Sequence, residues 1–440
     1  KMAMGGIYDQ LGGGFARYST DSFWKAPHFE KMLYDNGQLM SLYANAYKCD
    51  PKEIYKDVVY GIYKFVSEKL TSPDGGFCCA MDADSEGIEG EYYIWKKEEL
   101  EELLGTDFAL FSAYYSINEK DVWEDDKYIL QRKQTDTMYC DEQNISLNDL
   151  LSKKKNWHAV LNERREKRIA PALDDKILAS WNGLMLKGLA DAHKSFKEPV
   201  FLDMAINNAN FIKNKLITAD GGLWHGFKND KGYIEGFLDD YAFIASGFIS
   251  LYEATFNESW LNTAKSLTEY AIEHFYDARK NIFYYTHGKQ ESIIVRKAEI
   301  TDNVIPASNS EMAIVLYKLG HMLSDDKFIE ISEGMLVAVK ENMQGYPQGY
   351  TNWAILLLHN QIRFCEVAIT GKLAVNFRDK VNKEYIPNMA LLGAEKSSAL
   401  DLLKDRFSLD RTLVYVCENK TCLRPFSSVG EAINAIKEVK

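Results

Sequence analysis

The sequence predicts a mainly α protein built from repeated helical hairpins and closed by a small α/β region. Three observations predict it. Apolar residues recur at three- and four-residue steps as far as residue 361, the period of a helix packed along one side. The helical segments come in pairs divided by turn residues, so the unit is a hairpin rather than a single helix. Polar and glycine–aromatic motifs recur where one helix of a pair begins, as tandem repeats require.

The first helical stripe is Phe29, Met32, Leu33, Leu39, Met40, Tyr43 and Ala46. A second helix follows Asp50-Pro51 and runs to about Leu70, stopped by the turn residues Ser72-Pro73-Asp74-Gly75-Gly76. The alternation returns over 182–217, 238–277 and 308–343, with a last helix over about 349–361. Asn36-Gly37 is followed by Ala44, Ala46 and Lys48, and Asn182-Gly183 by Ala190, Ala192 and Lys194 at the same spacing. A glycine–aromatic turn recurs as Gly13-Gly14-Phe15, Gly75-Gly76-Phe77 and Gly221-Gly222-Leu223-Trp224. Two further polar starts are Asp239-Asp240-Tyr241 and Ser308-Asn309-Ser310. Between 118 and 175 lies a polar stretch whose run Glu163-Arg164-Arg165-Glu166-Lys167-Arg168 fits a solvated helix face. From residue 364 the pattern changes. Val367-Ala368-Ile369-Thr370-Gly371 and Leu413-Val414-Tyr415-Val416-Cys417 are β-rich runs followed by breakers, and a short helix over about Val429 to Val439 ends the chain. The expected division is a hairpin body over 1–361 and an α/β region over 362–440 packed on it.

At 440 residues the chain exceeds the size at which one core usually stops growing, a limit hairpin arrays escape because each unit packs mainly on its neighbours. Its charge of −12, from 64 acidic and 52 basic residues, argues against nucleic acid as a partner, since phosphates need a basic face. No apolar run approaches the roughly 18–20 residues that cross a bilayer, so no membrane partner is expected. Seven scattered cysteines make no disulfide framework and suit a reducing, cytoplasmic setting. Cys417 and Cys422 lie close together near the end, without the second pair or histidine that a zinc site needs. Lys1 is an unusual beginning and fits a piece of a longer chain. Aromatic residues make up 13%, a density that fills cores and also builds the stacking walls of ligand clefts.

The densest block runs from Gly12 to Asn36, and it holds Arg17, Tyr18, Asp21, Trp24, His28, Glu30 and Asp35. Placed on a helix, His28, Lys31, Asp35 and Gln38 share a face while Glu30 points elsewhere. The block is either a site or a helix start with a buried polar network. A second acidic–aromatic cluster is Asp82-Ala83-Asp84-Ser85-Glu86-Gly87 with Tyr92, Tyr93 and Trp95; it lacks the twelve-position loop of a calcium site. Asp174-Asp175-Lys176 with Trp181-Asn182 is the third, and Asp239-Asp240-Tyr241 the fourth. If the hairpins close into a ring, these helix starts line one cleft, where carboxylates and aromatic walls suit acid–base work on a sugar, with His225 as a proton carrier. No phosphate-cradling loop, zinc-protease motif or nucleophile elbow is present, and no metal or cofactor is called for.

The block from Gly5 to Asp21, then Pro27-His28-Phe29-Glu30-Lys31-Met32-Leu33-Tyr34-Asp35-Asn36, resembles the signature of the YyaL proteins, also called the spermatogenesis-associated, thioredoxin-domain proteins. The Asp82, Asp174–Asn182 and Asp239–Ala242 blocks follow in the family's order, as does the ending Val416-Cys417-Glu418-Asn419-Lys420-Thr421-Cys422. The family's Ser-Gly-Asn-Ser stands here as Ala307-Ser308-Asn309-Ser310, which makes that loop less permissive. The resemblance implies an (α/α)6 toroid of six hairpins, similar to the N-acylglucosamine 2-epimerase superfamily, and a thioredoxin-like partner domain ahead of this region. It leaves two functional expectations. The first is a carbohydrate-active enzyme, an epimerase, isomerase or glycosidase, with a sugar or other small molecule in the cleft. Its acid–base candidates are His28, Glu30, Asp35, Asp174 and Asp240. Its substrate-binding candidates are Arg17, Tyr18, Trp24, Asp82, Asp84, Trp181, Asn182, His225, Asp239 and Tyr241. The second is a non-catalytic module that binds protein or peptide clients for the thioredoxin-like domain.

Overall fold

A computed structural model describes residues 1–288 and 295–438. In chain order its helices are α1 (Leu33–Cys49), α2 (Glu53–Phe65), α3 (Lys97–Leu104), α4 (Phe108–Tyr115), α5 (Asp136–Gln143) and α6 (Leu147–Arg165). Then come α7 (Ala179–Phe196), α8 (Pro199–Phe211), α9 (Leu238–Thr255), α10 (Glu258–Phe275), α11 (Ser308–Leu323), α12 (Asp326–Gly345) and α13 (Thr351–Gln361). The last two are α14 (Ala374–Asn382) and α15 (Val429–Lys437). The expected end of the final helix at Val439 lies outside the described residues. Contacts group the chain into two compact units, one of Lys1–Asn36, Lys52–Ser72 and Phe77–Asp175, the other of Gly37–Pro51, Pro73–Gly76 and Lys176–Lys440.

In the second unit the paired segments are hairpins with an inner and an outer member. α7, α9 and α11 are buried on almost every side, whereas α10 and α12 bury a single stripe. α9 packs against α7, α10 and α11, and α11 packs in turn against α12. In the first unit the aromatic residues fill a core: Trp95, Phe111, Tyr114, Tyr115, Tyr139 and Trp157 pack with Leu100, Leu150 and Leu161. The charge run there is only partly solvated. Arg165 is buried and bonds Asp9 at 2.9 and 3.0 Å, because the last turn of α6 points it inward, while Arg164 lies against Glu99 at the surface.

The recurring asparagines staple helix starts to a neighbouring strand. Asn36 Oδ1 accepts the Phe15 amide at 2.8 Å, and its Nδ2 donates to the Phe15 and Met32 carbonyls at 3.1 and 2.8 Å. Asn309 repeats the pattern on Phe283, with Oδ1 2.8 Å from the amide and Nδ2 3.0 Å from the carbonyl. Each phenylalanine is itself bridged to a tyrosine, Tyr8 to Phe15 and Tyr276 to Phe283, with rings 4.9 Å apart in both cases. Ser308, which stands where the family has its glycine, is the first residue of α11 and is not among the residues with positive φ, so a glycine is not needed there for this staple. Gly13 is different. Its φ is +75° and a Cβ would lie 2.1 Å from the Gly61 carbonyl oxygen. Gly13→Ala is expected to cost roughly 3 kcal/mol from left-handed backbone plus overpacking, read as a lowered urea midpoint.

The C-terminal region is α/β as expected. Its sheet runs Met389–Ala394, Cys365–Thr370, Leu413–Glu418, Thr421–Cys422, with the first pair parallel and the others antiparallel. It is anchored to the helices of its unit: Asn382 Nδ2 donates to the Glu253 carbonyl at 3.1 Å, and His321 meets Glu366 at 2.8 Å. The cysteine expectation is corrected at one pair. Cys417 and Cys422 form a disulfide, because they face each other across a two-residue hairpin whose Asn419 and Lys420 both have positive φ.

Candidate functional site

In the second unit the site is built where a hairpin meets the start of α9. Strand Trp224–Lys228, paired with Lys231–Glu235, carries His225 to the first turn of that helix. Asp240 there is wholly buried. Its Oδ1 accepts the Ser180 amide at 2.9 Å, and its Oδ2 accepts the Phe237 amide at 2.9 Å and faces His225 Nδ1 at 2.9 Å. One carboxylate therefore caps α9 and holds an imidazole. With Nδ1–H donated to Asp240, Nε2 is the nitrogen that can exchange a proton. Burial alone would lower the pKa of His225, but the hydrogen bond and charge of Asp240, with Asp239 behind it, raise it.

Asp239 is the complementary group. Burial first, then the charge of Asp240, pushes its carboxyl well above the usual range; His225 and a hydrogen bond from the Tyr285 hydroxyl offset this only in part. Its Oδ1 is buried and has no hydrogen-bond partner among the described residues. A carboxyl that holds its proton more tightly than usual thus stands beside a histidine made more basic, the separation of roles that acid–base catalysis needs. The Phe237 ring meets His225 at 4.9 Å and stacks on Tyr285 at 5.0 Å. These three side chains are half-buried, and exposed Glu299 accepts the Ser308 amide at 3.0 Å, so the pair opens onto solvent.

In the first unit the densest sequence block does come together, though not on a helix. Pro27–His28 and Lys31–Met32 are short strands and α1 begins only at Leu33, which corrects the helical face drawn through His28, Lys31 and Asp35. Extended backbone brings His28 Nε2 to 3.8 Å from Glu30 instead of turning Glu30 away. Arg17 reaches Glu30 at 3.6 Å, Tyr18 stacks on His28 at 5.0 Å, and Glu89 holds His28 Nδ1 at 2.7 Å. Asp35 is pushed up to about 7 by burial and by Glu30, against the opposing charge of Arg17. Trp24 is half-buried at φ +66° and gives its carbonyl to the Ile7 amide at 3.3 Å.

Other candidates have structural surroundings. Asp82 and Asp84 are exposed; Asp84 pairs with Glu89 in the hairpin that delivers Glu89 to His28. Asp174 lies in a strand beside Ala80, giving its carbonyl to the Cys79 amide at 3.0 Å. Asn182 is fully buried between the Leu178 carbonyl and Asn208 Nδ2, at 2.8 and 2.9 Å. Tyr241 is core: its hydroxyl accepts the Leu223 amide at 3.0 Å and its ring stacks on Tyr270. Trp181 is half-buried. Sequence reasoning missed Glu89, Phe237, Tyr285 and Glu299, which sit in turns and strands without a motif of their own. Only Phe237, just before the Asp239-Asp240 start, had a usable signal. No group of His, Cys, Asp and Glu among the described residues has the geometry to hold a metal ion.

Solved structures with this architecture define the class of the fold, an (α/α)6 toroid. A sugar epimerase from a ruminal bacterium matches with a TM-score of 0.50 at 11% identity, over 76% of this chain and 67% of that one. Cellobiose 2-epimerase from Spirochaeta thermophila matches with a TM-score of 0.50 at 11% identity, over 77% and 66%. No family model matches the chain. The chain is similar in sequence to spermatogenesis-associated protein 20: the human protein is 30% identical over 98% of this chain, and the mouse protein 28% over 98%. The chain spans 61% and 60% of the length of those two relatives. No helix among the described residues is long and apolar enough to cross a membrane.

Proposed function

We propose that the chain is a sugar-transforming enzyme of the epimerase or isomerase type, working by proton transfer between His225 and Asp239. The observation that carries this reading is the His225–Asp240 contact at 2.9 Å beside buried Asp239, whose carboxyl is pushed well above the usual range by burial and by Asp240. In an open-chain aldose, His225 Nε2 takes the proton from C2 while Asp239 gives its proton to the carbonyl oxygen, forming an enediol. The His225 imidazolium then returns its proton to C1 while Asp239 takes one from the C2 hydroxyl, giving a ketose. Alternatively it returns the proton to the other face of C2, presented when the enediol turns over, while Asp239 takes its proton back from the C1 hydroxyl, giving the epimer. Either way both groups end as they began. Asp240 is a positioning residue, since both its oxygens are committed to the backbone and His225. Phe237 and Tyr285 offer the aromatic wall on which a sugar ring stacks. The sugar epimerases that share the fold support the choice of substrate class by analogy of architecture.

Deuterium wash-in at C2 of glucose, mannose and cellobiose in D2O, followed by proton NMR, tests it. His225→Gln and Asp239→Asn are each expected to slow exchange by about 10²–10⁴-fold with unchanged circular dichroism. Exchange that persists in both variants overturns the reading. So does the absence of exchange and of binding for every sugar, an outcome that favours the client-binding alternative if the chain captures peptides.

A further inference from the structure

The recurring Ala-x-Ala-x-Lys ends, whose lysines are Lys48 and Lys194, have no place in the site above. Both lie in the last turn of their helices, α1 and α7, and both line a cavity of about 300 Å³ within the second unit. That volume is at the lower end for small-molecule sites. Lys187 and Lys318 join them on the wall, so four ammonium groups face one space.

Their charges are unevenly compensated. Asp191 takes Lys187 and Lys194, each at 2.8 Å, and Glu253 takes Lys194 at 3.1 Å. Glu384 is engaged by Lys437 at 2.5 Å. Among the described residues no carboxylate pairs with Lys48 or with Lys318, and buried Glu311 is the one further acidic group on the wall. Burial, then for Lys48 the charge of Lys194, lowers both ammonium groups, Lys48 to about 7, and the charges of Asp191 and Glu253 offset this only in part. An incoming anion relieves that state. The remaining lining supplies acceptors. Asn45 and Asn382 spend their Nδ2 atoms on the Ser41 and Glu253 carbonyls, at 3.0 and 3.1 Å, which leaves their Oδ1 atoms, with the Glu311 carboxylate, for hydroxyl donors.

We propose that this cavity binds a small hydroxylated anion, a phosphate or carboxylate on a polyhydroxylated chain, with Lys48 and Lys318 holding the anionic group and Asn45, Asn382 and Glu311 the hydroxyls. The site is distinct from that of His225: it is built on the middle and C-terminal parts of α1, α7 and α9 and on α11 from Glu311 to Lys318, whereas His225 and Asp239 meet at the N-terminus of α9. It does not rest on the catalytic reading, and either can fail alone.

Calorimetric titration of the chain with glucose 6-phosphate, glucuronate, inorganic phosphate and glucose tests the proposal. One of the two hydroxylated anions is expected to bind at least tenfold more tightly than inorganic phosphate or glucose, and which one binds identifies the anionic group. Lys48→Gln and Lys318→Gln are each expected to weaken that binding at least tenfold, and Lys48→Arg to keep it within about threefold. Thermal melts without ligand confirm that each variant folds, and Lys48→Arg carries the test if a glutamine variant does not. Binding of neither hydroxylated anion overturns the proposal, as does equal binding of glucose, equal binding of inorganic phosphate, or affinity unchanged in both glutamine variants.

Discussion

Asp9→Ala is expected to destabilise the first unit by about 3–5 kcal/mol, the cost of leaving buried charges without their partner. Asp9 Oδ2 accepts Lys31 Nζ at 2.7 Å and Arg165 Nη1 at 2.9 Å, and its Oδ1 accepts the Leu11 and Gly12 amides at 3.0 and 2.9 Å. The side chains of Lys31 and Arg165 are only 5% and 7% exposed, so water cannot replace the carboxylate once it is removed. The same group sets an acid limit. Burial by itself raises its pKa, but Arg165, Lys31 and the Gly12 amide outweigh it and hold it well below the usual range. Its contribution is therefore complete above the unfolded value near ~4 and is lost as pH falls towards the lower folded value. Urea unfolding between neutral pH and pH ~3 measures both effects. Glu163→Ala, which breaks a solvated pair with Lys167, leaves the midpoint unchanged. An Asp9→Ala midpoint equal to that of the wild type would show that the triad carries no stability.

Asp240→Asn is expected to reduce sugar proton exchange by about 10²–10⁴-fold and to move its pH profile. The wild-type rate rises as His225 loses its proton, at a pH above the usual histidine value because Asp240 outweighs burial. An amide carries no charge, so the rising limb shifts to lower pH. NMR titration of the His225 ring reads the same shift without any substrate. Stability has the opposite linkage: the contribution of this pair is present below the unfolded value near ~6.5 and fades as pH rises through the raised folded one. A rate loss with an unmoved limb and an unmoved ring titration would leave Asp240 as a cap for α9 and nothing more.

The helices are legible because their signal is local. The segments expected at 182–217, 238–277 and 308–343 are the hairpins α7–α8, α9–α10 and α11–α12. The apolar stripe places the start of the first helix four residues too early: Phe29 continues the stripe, yet it lies between two short strands held by partners elsewhere, Pro27–His28 by Tyr18–Ser19 and Lys31–Met32 by Ala80–Met81. The candidate site is legible in part. Asp239, Asp240 and His225 stand out as residues, but their roles depend on which oxygen faces which nitrogen, and no spacing encodes that. The asparagine starts are visible as a repeat and invisible as staples, because their partners Phe15 and Phe283 lie 21 and 26 residues away.

What the sequence determined by itself is the alternation of helices and turns, the hairpin as the repeating unit, the α/β character of the end, and the similarity that runs along almost the whole chain. These follow from side-chain period and backbone preference, which act over a few residues. The tertiary structure decided how charged and polar groups are paired: Asp9 with Arg165 across 156 residues, Asp240 with Ser180 across 60, and Lys48 and Lys318 facing one cavity with no carboxylate paired to either among the described residues. Such pairing depends on where a distant segment returns, and burial then fixes whether a carboxyl there keeps its proton or a lysine keeps its charge.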